Sequence, residues 1–185
     1  VAMKTVDRPS QDVRAVRSRS ALMAAARELV VDDPEAAITV SALCRRAEVS
    51  RPTFYQHFSS PDELLAAMIR ARFDDLFASN AEVDRADTPT VIRRLLAEIW
   101  RDARIYDVLL EGRPAFNQVR SALERWLMER LAERYPGTRP SDLAFATGGS
   151  VRLIVDALSR GDGESSLDQT AADMWRLVRL TLGLS

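Results

Sequence analysis

"ITVSALCRRAEVSRPTFYQHF", residues 38–58, decides how this chain is read. Thr39 and Ser50 are both residue types that cap helix N-termini, because a side-chain oxygen can accept from an otherwise unpaired backbone N–H. Each has an apolar residue before it and another at the fourth helical position: Ile38 with Leu43, and Val49 with Phe54. That spacing is a hydrophobic staple, which fixes the angle at which chain enters helix. Pro52 falls in the first turn of the second segment, where its missing N–H would have had no partner anyway. Two short helices are therefore predicted, one ending near Ala47 and the other opening at Ser50 after a three-residue turn. At about 100° per residue, Phe54 and Phe58 share one face of the second helix. Pro52 and Gln56 lie opposite, with Thr53, Tyr55 and His57 along the edges.

Upstream, Leu22, Ala25, Ala26, Leu29 and Val30 recur at helical spacing, predicting a first helix over residues 14–31. Its approach is basic: five arginines and one acid, Asp12, lie between Arg8 and Arg27. The whole chain has a formal charge of -1 and a pI near 6.0, so this points to a local polyanion contact rather than a generally cationic protein. A basic helix followed by two short helices and a tight turn is the layout of a helix-turn-helix DNA reader.

The aromatics would anchor the last helix to Leu22, Leu29, Leu43 and Cys44, leaving its polar face for a major groove. Gln56 can pair with adenine, and Thr53 and Pro52 can meet a base edge or a thymine methyl. Arg51, Tyr55 and His57 suit phosphates. Ser50 and Thr39 stand at helix starts whose amides face a backbone, and Arg14, Arg17 and Arg19 would add long-range attraction.

Residues 38–69, "ITVSALCRRAEVSRPTFYQHFSSPDELLAAMI", resemble the DNA-binding motif of TetR-type transcriptional regulators through the V-S-R-x-T-F-Y-x-x-F core and the following D-E-L-L. With the first helix the resemblance covers about 55 residues; the rest matches only as an all-helical domain of suitable length. It implies a DNA-binding N-terminal domain and a helical body that dimerises and binds a small ligand. Two positions depart from the pattern. Glu48 stands where many members have glycine in the turn, so either a left-handed glutamate costs about 1 kcal/mol or the turn differs. Pro61 replaces a lysine that would meet a phosphate.

Beyond the motif, the chain continues as helices. Ser60, Pro61 and Glu63 supply an N-cap, a proline at N1 and a capping-box acid for a long fourth helix. Thr88 and Pro89 begin a fifth, a short apolar piece spans 105–110, and further helices are predicted over 114–135, 141–159 and 167–184. The fold class is all-α, with a three-helix helix-turn-helix domain over 14–60 and a helical dimerisation and ligand-binding domain over 61–185. Residues 1–13 are read as a disordered basic tail.

The last two helices are apolar on more than one face, so a symmetric dimer is expected through Leu143, Val151, Ile154, Val155, Leu158, Trp175, Val178 and Leu182. A two-fold dimer would read a palindrome-like operator. A small apolar or amphipathic inducer is expected among Phe73, Phe77, Leu96, Trp100, Tyr106, Phe116, Val119, Leu123, Trp126 and Phe145, with Asn117 and Gln118 as nearby polar candidates. Gly148 and Gly149, inside a helical pattern, read as a close helix approach or a kink.

No enzyme is expected. His57 is the only histidine and Cys44 the only cysteine, so neither a zinc site of ordinary composition nor an internal disulfide is available. The carboxylate pairs Asp32–Asp33 and Asp74–Asp75 lack a histidine or a phosphate-cradling loop beside them. No cofactor or metal is expected, and charges interrupt every apolar run before the roughly 18 residues needed to cross a bilayer. The expectation is a cytoplasmic homodimeric repressor, with double-stranded operator DNA, a second copy and a small inducer as partners and no membrane. Two alternatives stay open: a DNA binder without inducer, and a helical interaction or carrier protein that has lost DNA binding.

Overall fold

A computed structural model describes residues 8–33, 36–78, 87–110, 117–161 and 166–184. Among these the chain forms nine helices and no strand: α1 (Arg8–Asp32), α2 (Val40–Arg46), α3 (Arg51–His57), α4 (Pro61–Ala78), α5 (Thr88–Arg101), α6 (Ala103–Leu110), α7 (Asn117–Arg134), α8 (Pro140–Arg160) and α9 (Leu167–Leu182). Two compact units result, Val1–Met68 and Ile69–Ser185, so their boundary falls inside α4.

The first helix begins at Arg8, six residues before the expected start at residue 14. Residues 8–13, read as tail, are helical, with Pro9 in the first turn where helices tolerate it; residues 1–7 lie outside the described ones. In this unit α1 packs on both α2 and α3. Leu22, Ala25, Ala26 and Val30 of α1, Leu43 and Cys44 of α2, and Phe54 and Phe58 at α3 are buried together with Leu64 and Leu65. Arg46 holds Glu28 and Asp32 of α1 at 3.0 and 2.8 Å, tying the end of α2 to the end of α1.

The expected caps set the two short helices. Thr39 accepts from the Ala42 N–H and Ser50 from the Thr53 N–H, each at 3.2 Å. Between them Glu48 adopts φ 54°, the left-handed region that a glutamate enters only at a cost. The Val49 N–H donates to the Cys44 carbonyl at 3.0 Å, and together these features close α2 in a Schellman turn. At α4, Ser60 accepts from the Glu63 N–H as expected. The Glu63 carboxylate, however, takes the amide and hydroxyl of Ser59, one residue earlier than a capping box requires.

In the second unit α8 packs on α7 and α9, and α9 also packs on α5. The core is Phe73, Leu95, Leu96, Ile99, Tyr106, Leu109, Leu110, Val119, Leu123, Trp126, Val151 and Ile154. One carboxylate is buried with it: Glu98 keeps only 3 % of its side chain exposed and is flanked by the guanidinium groups of Arg72 and Arg101. α5 begins at Thr88 as expected, and Asp87 caps it, accepting from the Thr90 N–H at 2.9 Å. That leaves the Thr88 hydroxyl to Tyr135 and Arg134.

Candidate nucleic-acid interface and ligand cavity

The short helix α3 divides as its spacing predicts. Phe54 and Phe58 are buried, their ring centroids 6.1 Å apart, while Arg51, Pro52, Tyr55 and Gln56 are exposed. Taking Arg51 as origin, those four fall within about 140° of arc. Tyr55 is 54 % exposed yet leans edge-on against Phe54 at 5.3 Å, which holds its ring in place.

Two of the three edge residues are engaged within the unit. Thr53 is half-buried, its hydroxyl 2.8 Å from Ser50 Oγ. His57 is half-buried, its Nε2 2.7 Å from Ser18 Oγ on α1, which links α3 to α1. Among the basic residues upstream, Arg14, Arg17 and Arg19 are exposed, and Arg19 also lies over the Phe58 ring at 5.1 Å. Burial raises the Cys44 thiol above its ordinary pKa against the opposing charge of Arg51, and the cysteine is a small core residue.

In the second unit the aromatic residues expected to hold a ligand do meet. Phe73 stacks on Tyr106 at 6.0 Å and packs on Trp126 at 5.3 Å, and Phe77 meets Trp126 at 4.9 Å. The Trp126 Nε1–H donates to Asp74 at 2.8 Å. With Leu96, Trp100, Val119 and Leu123 most of this set is closed core. A cavity of about 60 Å³ opens beside it, sharing Phe77 and Trp126 and otherwise lined by Thr88, Val91, Ile92 and Leu95 of α5, Leu127, Arg130, Leu131 and Arg134 of α7, and Met174 and Val178 of α9. Two residues of the expected set fall elsewhere. Phe145 is 75 % exposed on α8, and Phe116 lies outside the described residues, as does the Asn117 side chain. The legible signal for the missed lining was Trp126, Arg130 and Arg134 at successive i,i+4 positions, two arginines continuing a buried stripe.

The expected dimer residues need the same correction. Leu143, Val151, Ile154, Leu158 and Val178 are buried inside the unit, because α8 spends that stripe on α7 and α9, and α9 spends its own on α5 and α8. Val155, Trp175 and Leu182 are half-buried. The apolar residues left outside are Phe145 on α8 and Leu177 and Leu180 on α9.

A basic helix carrying two short capped helices, the second with an aromatic root and a polar outer arc, defines a helix-turn-helix DNA-binding protein. Residues 22–68 match the family model described as "Bacterial regulatory proteins, tetR family". Over 151 residues the chain is 30% identical to the HTH-type transcriptional regulator EthR of Mycolicibacterium smegmatis, covering 74% of this chain and 68% of that protein. The chain belongs to the TetR family of transcriptional regulators, which are not enzymes. Among solved structures, RolR in complex with resorcinol shares the fold with a TM-score of 0.61 at 22% identity over 89% of each chain. A TetR regulator from Streptococcus agalactiae gives 0.59 at 21% identity, over 93% of this chain and 99% of that one. Among the described residues no helix is long and apolar enough to cross a membrane.

Proposed function

We propose that the chain is a homodimeric repressor, released from a palindrome-like operator by a small molecule bound in its second unit. Residues 14–60 serve as reader, with the earlier turns of α1 extending it, and 61–185 as ligand-binding and dimerisation body. The observation that carries the reading is the outer arc of α3. Gln56 and Pro52 reach base edges there, while Arg51 and Tyr55 flank them for phosphates, and Arg14 and Arg17 add charge from α1. Thr39, Ser50, Thr53 and His57 set the pose of that arc through caps and the Ser18 bond. Glu48 in the glycine position supports a preserved turn, since it takes the left-handed conformation that position requires.

Dimerisation is assigned to the outer faces of α8 and α9. Phe145, Gly148, Gly149 and Arg152 follow one another on one side of α8, and a Cβ on either glycine would meet nothing within 4 Å. A glycine inside a helix costs roughly 1 kcal/mol relative to alanine, and nothing among the described residues fills the space. A second copy's helix lying against Phe145, Leu177 and Leu180 would use it. The same fold carries resorcinol in RolR, which supports a small-molecule site.

The test is selection of random DNA by the purified chain at near-physiological salt, followed by sequencing. An enriched inverted repeat, with half-sites about one DNA turn or a multiple apart, supports the dimeric reader. Absence of enrichment from a folded dimer would return the chain to the interaction or carrier reading. Sedimentation of Phe145→Glu should show monomers where the unaltered chain sediments as a dimer.

A further inference from the structure

His57, the chain's one histidine, ends α3 with its Nε2 2.7 Å from the Ser18 hydroxyl on α1. That hydroxyl also lies 3.0 Å from the Arg14 carbonyl and 3.1 Å from the Ala15 carbonyl, the back-bond of a serine inside a helix. Ser18 has a single proton to give, and a carbonyl can only accept. The contacts hold together when the hydroxyl donates to its own helix and Nε2–H donates to the hydroxyl oxygen. This network puts a hydrogen on Nε2 and leaves Nδ1 as the nitrogen that gains or loses a proton. Nδ1 has no hydrogen-bond partner among the described residues.

The charges around the ring are one-sided. Of the helices packed on α3, α1 carries Arg14, Arg17 and Arg19 within about one turn of Ser18, and α2 carries Arg45 and Arg46. Arg46 is taken by Glu28 and Asp32, and Arg51 belongs to α3 itself. Arg14 stands a turn ahead of Ser18, about 40° round the helix, exposed and with no acid paired to it among the described residues. Of the two acids that open α4, Glu63 is taken by Ser59 and Asp62 is half-buried. No carboxylate among the described residues pairs with the ring. A cationic edge of this kind suits a DNA phosphate, given that the adjoining arc of α3 is the DNA face, as proposed above. A neutral ring would set the Nδ1 lone pair against a phosphate oxygen, acceptor facing acceptor. Protonated, Nδ1–H donates to that oxygen in a charge-assisted bond while Nε2–H keeps Ser18.

We infer that His57 grips DNA as the imidazolium, Nδ1 taking a proton from solvent as it meets a phosphate, so that DNA binding is linked to proton uptake. The sign follows from that linkage. The contact is complete where the ring is charged and is lost as pH rises, so acid tightens the complex and base loosens it. The Ser18 bond is common to both forms, and the ring therefore changes charge without letting go of α1.

The test is the affinity of the full chain for a mixed-sequence DNA duplex at fixed salt, since a phosphate contact is blind to sequence. Binding should be at least about fivefold tighter near pH 6 than near pH 8, the span in which histidine changes charge. Burial keeps the Cys44 thiol neutral across that span. His57→Gln, whose amide N–H can still reach Ser18 but which cannot take a proton, should bind with nearly the same affinity at both pH values. NMR of the lone imidazole in the unaltered chain guards against misfolding of that variant: near neutral pH, both ring nitrogens should carry hydrogens on the duplex. Equal affinity at the two pH values, a pH dependence that survives in folded His57→Gln, or a ring that stays neutral on DNA would each overturn the inference and leave the DNA face of α3 standing. No binding of the duplex at either pH would strike the DNA face, and the inference with it.

Discussion

Two phenylalanines show how differently the two units use the same residue. Phe54 is fully buried under α3 and Phe145 is 75 % exposed on α8, yet both sit in helical patterns that look apolar from the sequence. In the first unit the two short helices α2 and α3 each open on their own cap, so their buried face can be counted out residue by residue. In the second, long helices have several neighbours, and which stripe faces inward is decided by packing that no local rule records. Local chemistry fixes one surface; competition among partners fixes the other.

The largest effect expected from this contrast is at Phe54. Phe54→Ala should destabilise the first unit by about 3–5 kcal/mol through lost burial and a cavity, and abolish DNA binding. Phe145→Ala should change the stability of the folded monomer by no more than about 0.5 kcal/mol, and act on dimerisation instead. Urea midpoints of both variants, read with sedimentation, break the comparison if the two costs come out equal.

Next comes the outer arc of α3. Gln56→Ala should lose roughly 1–3 kcal/mol of discrimination at one base position, whereas Tyr55→Phe should weaken all sequences alike. Equal losses on every sequence for both would defeat the base-reading role of Gln56. Smaller again is the turn. Glu48→Gly should stabilise the first unit by about 0.5–1 kcal/mol, since glycine takes positive φ without strain but gains unfolded-state freedom. A drop in the denaturation midpoint would mean that Glu48 makes a contact worth more than its strain.

The smallest effect is at the start of α4. The Ser59 hydroxyl and amide, each 2.6 Å from the Glu63 carboxylate, hold its pKa below the ordinary range. A folded pKa below the unfolded one, about 4.3, means the contribution is complete above that value and lost as pH falls through the folded pKa. Glu63→Gln should therefore cost roughly a few tenths of a kcal/mol near neutrality, because the group is exposed. That cost should vanish in acid, and denaturation midpoints across the acid range would show it.

How much was legible follows the same division. Thr39, Ser50 and Pro52 announced both short helices, and the staple pairs announced their angle, because caps and turns are settled within a few residues of chain. The family resemblance carried the same stretch further, to DNA. Missed locally were the engagement of His57 by Ser18, which joins residues 39 positions apart, and the earlier start of α1. In the second unit the helices were legible but not their partners. Leu143, Val151, Ile154, Leu158 and Val178 read as a dimer face and are core, while Phe145 read as cavity lining and is surface. Arg130 and Arg134 were passed over because charged residues on a helix usually mark its wet side, and the cavity beside them exists only once α5, α7 and α9 are assembled.

On the dimer proposed above, the uncovered flank of α8 would tie the chain's stability to its own abundance. Phe145, with two glycines beside it that leave open space, would stay in water until a copy arrived. By mass action, the melting temperature should climb as the protein is concentrated. Few copies per cell would then mean separate chains, each with one reading helix and a correspondingly weak hold on DNA. Raising production would tighten that hold more steeply than in proportion, so output of its own gene would act as a dial on the sharpness of control.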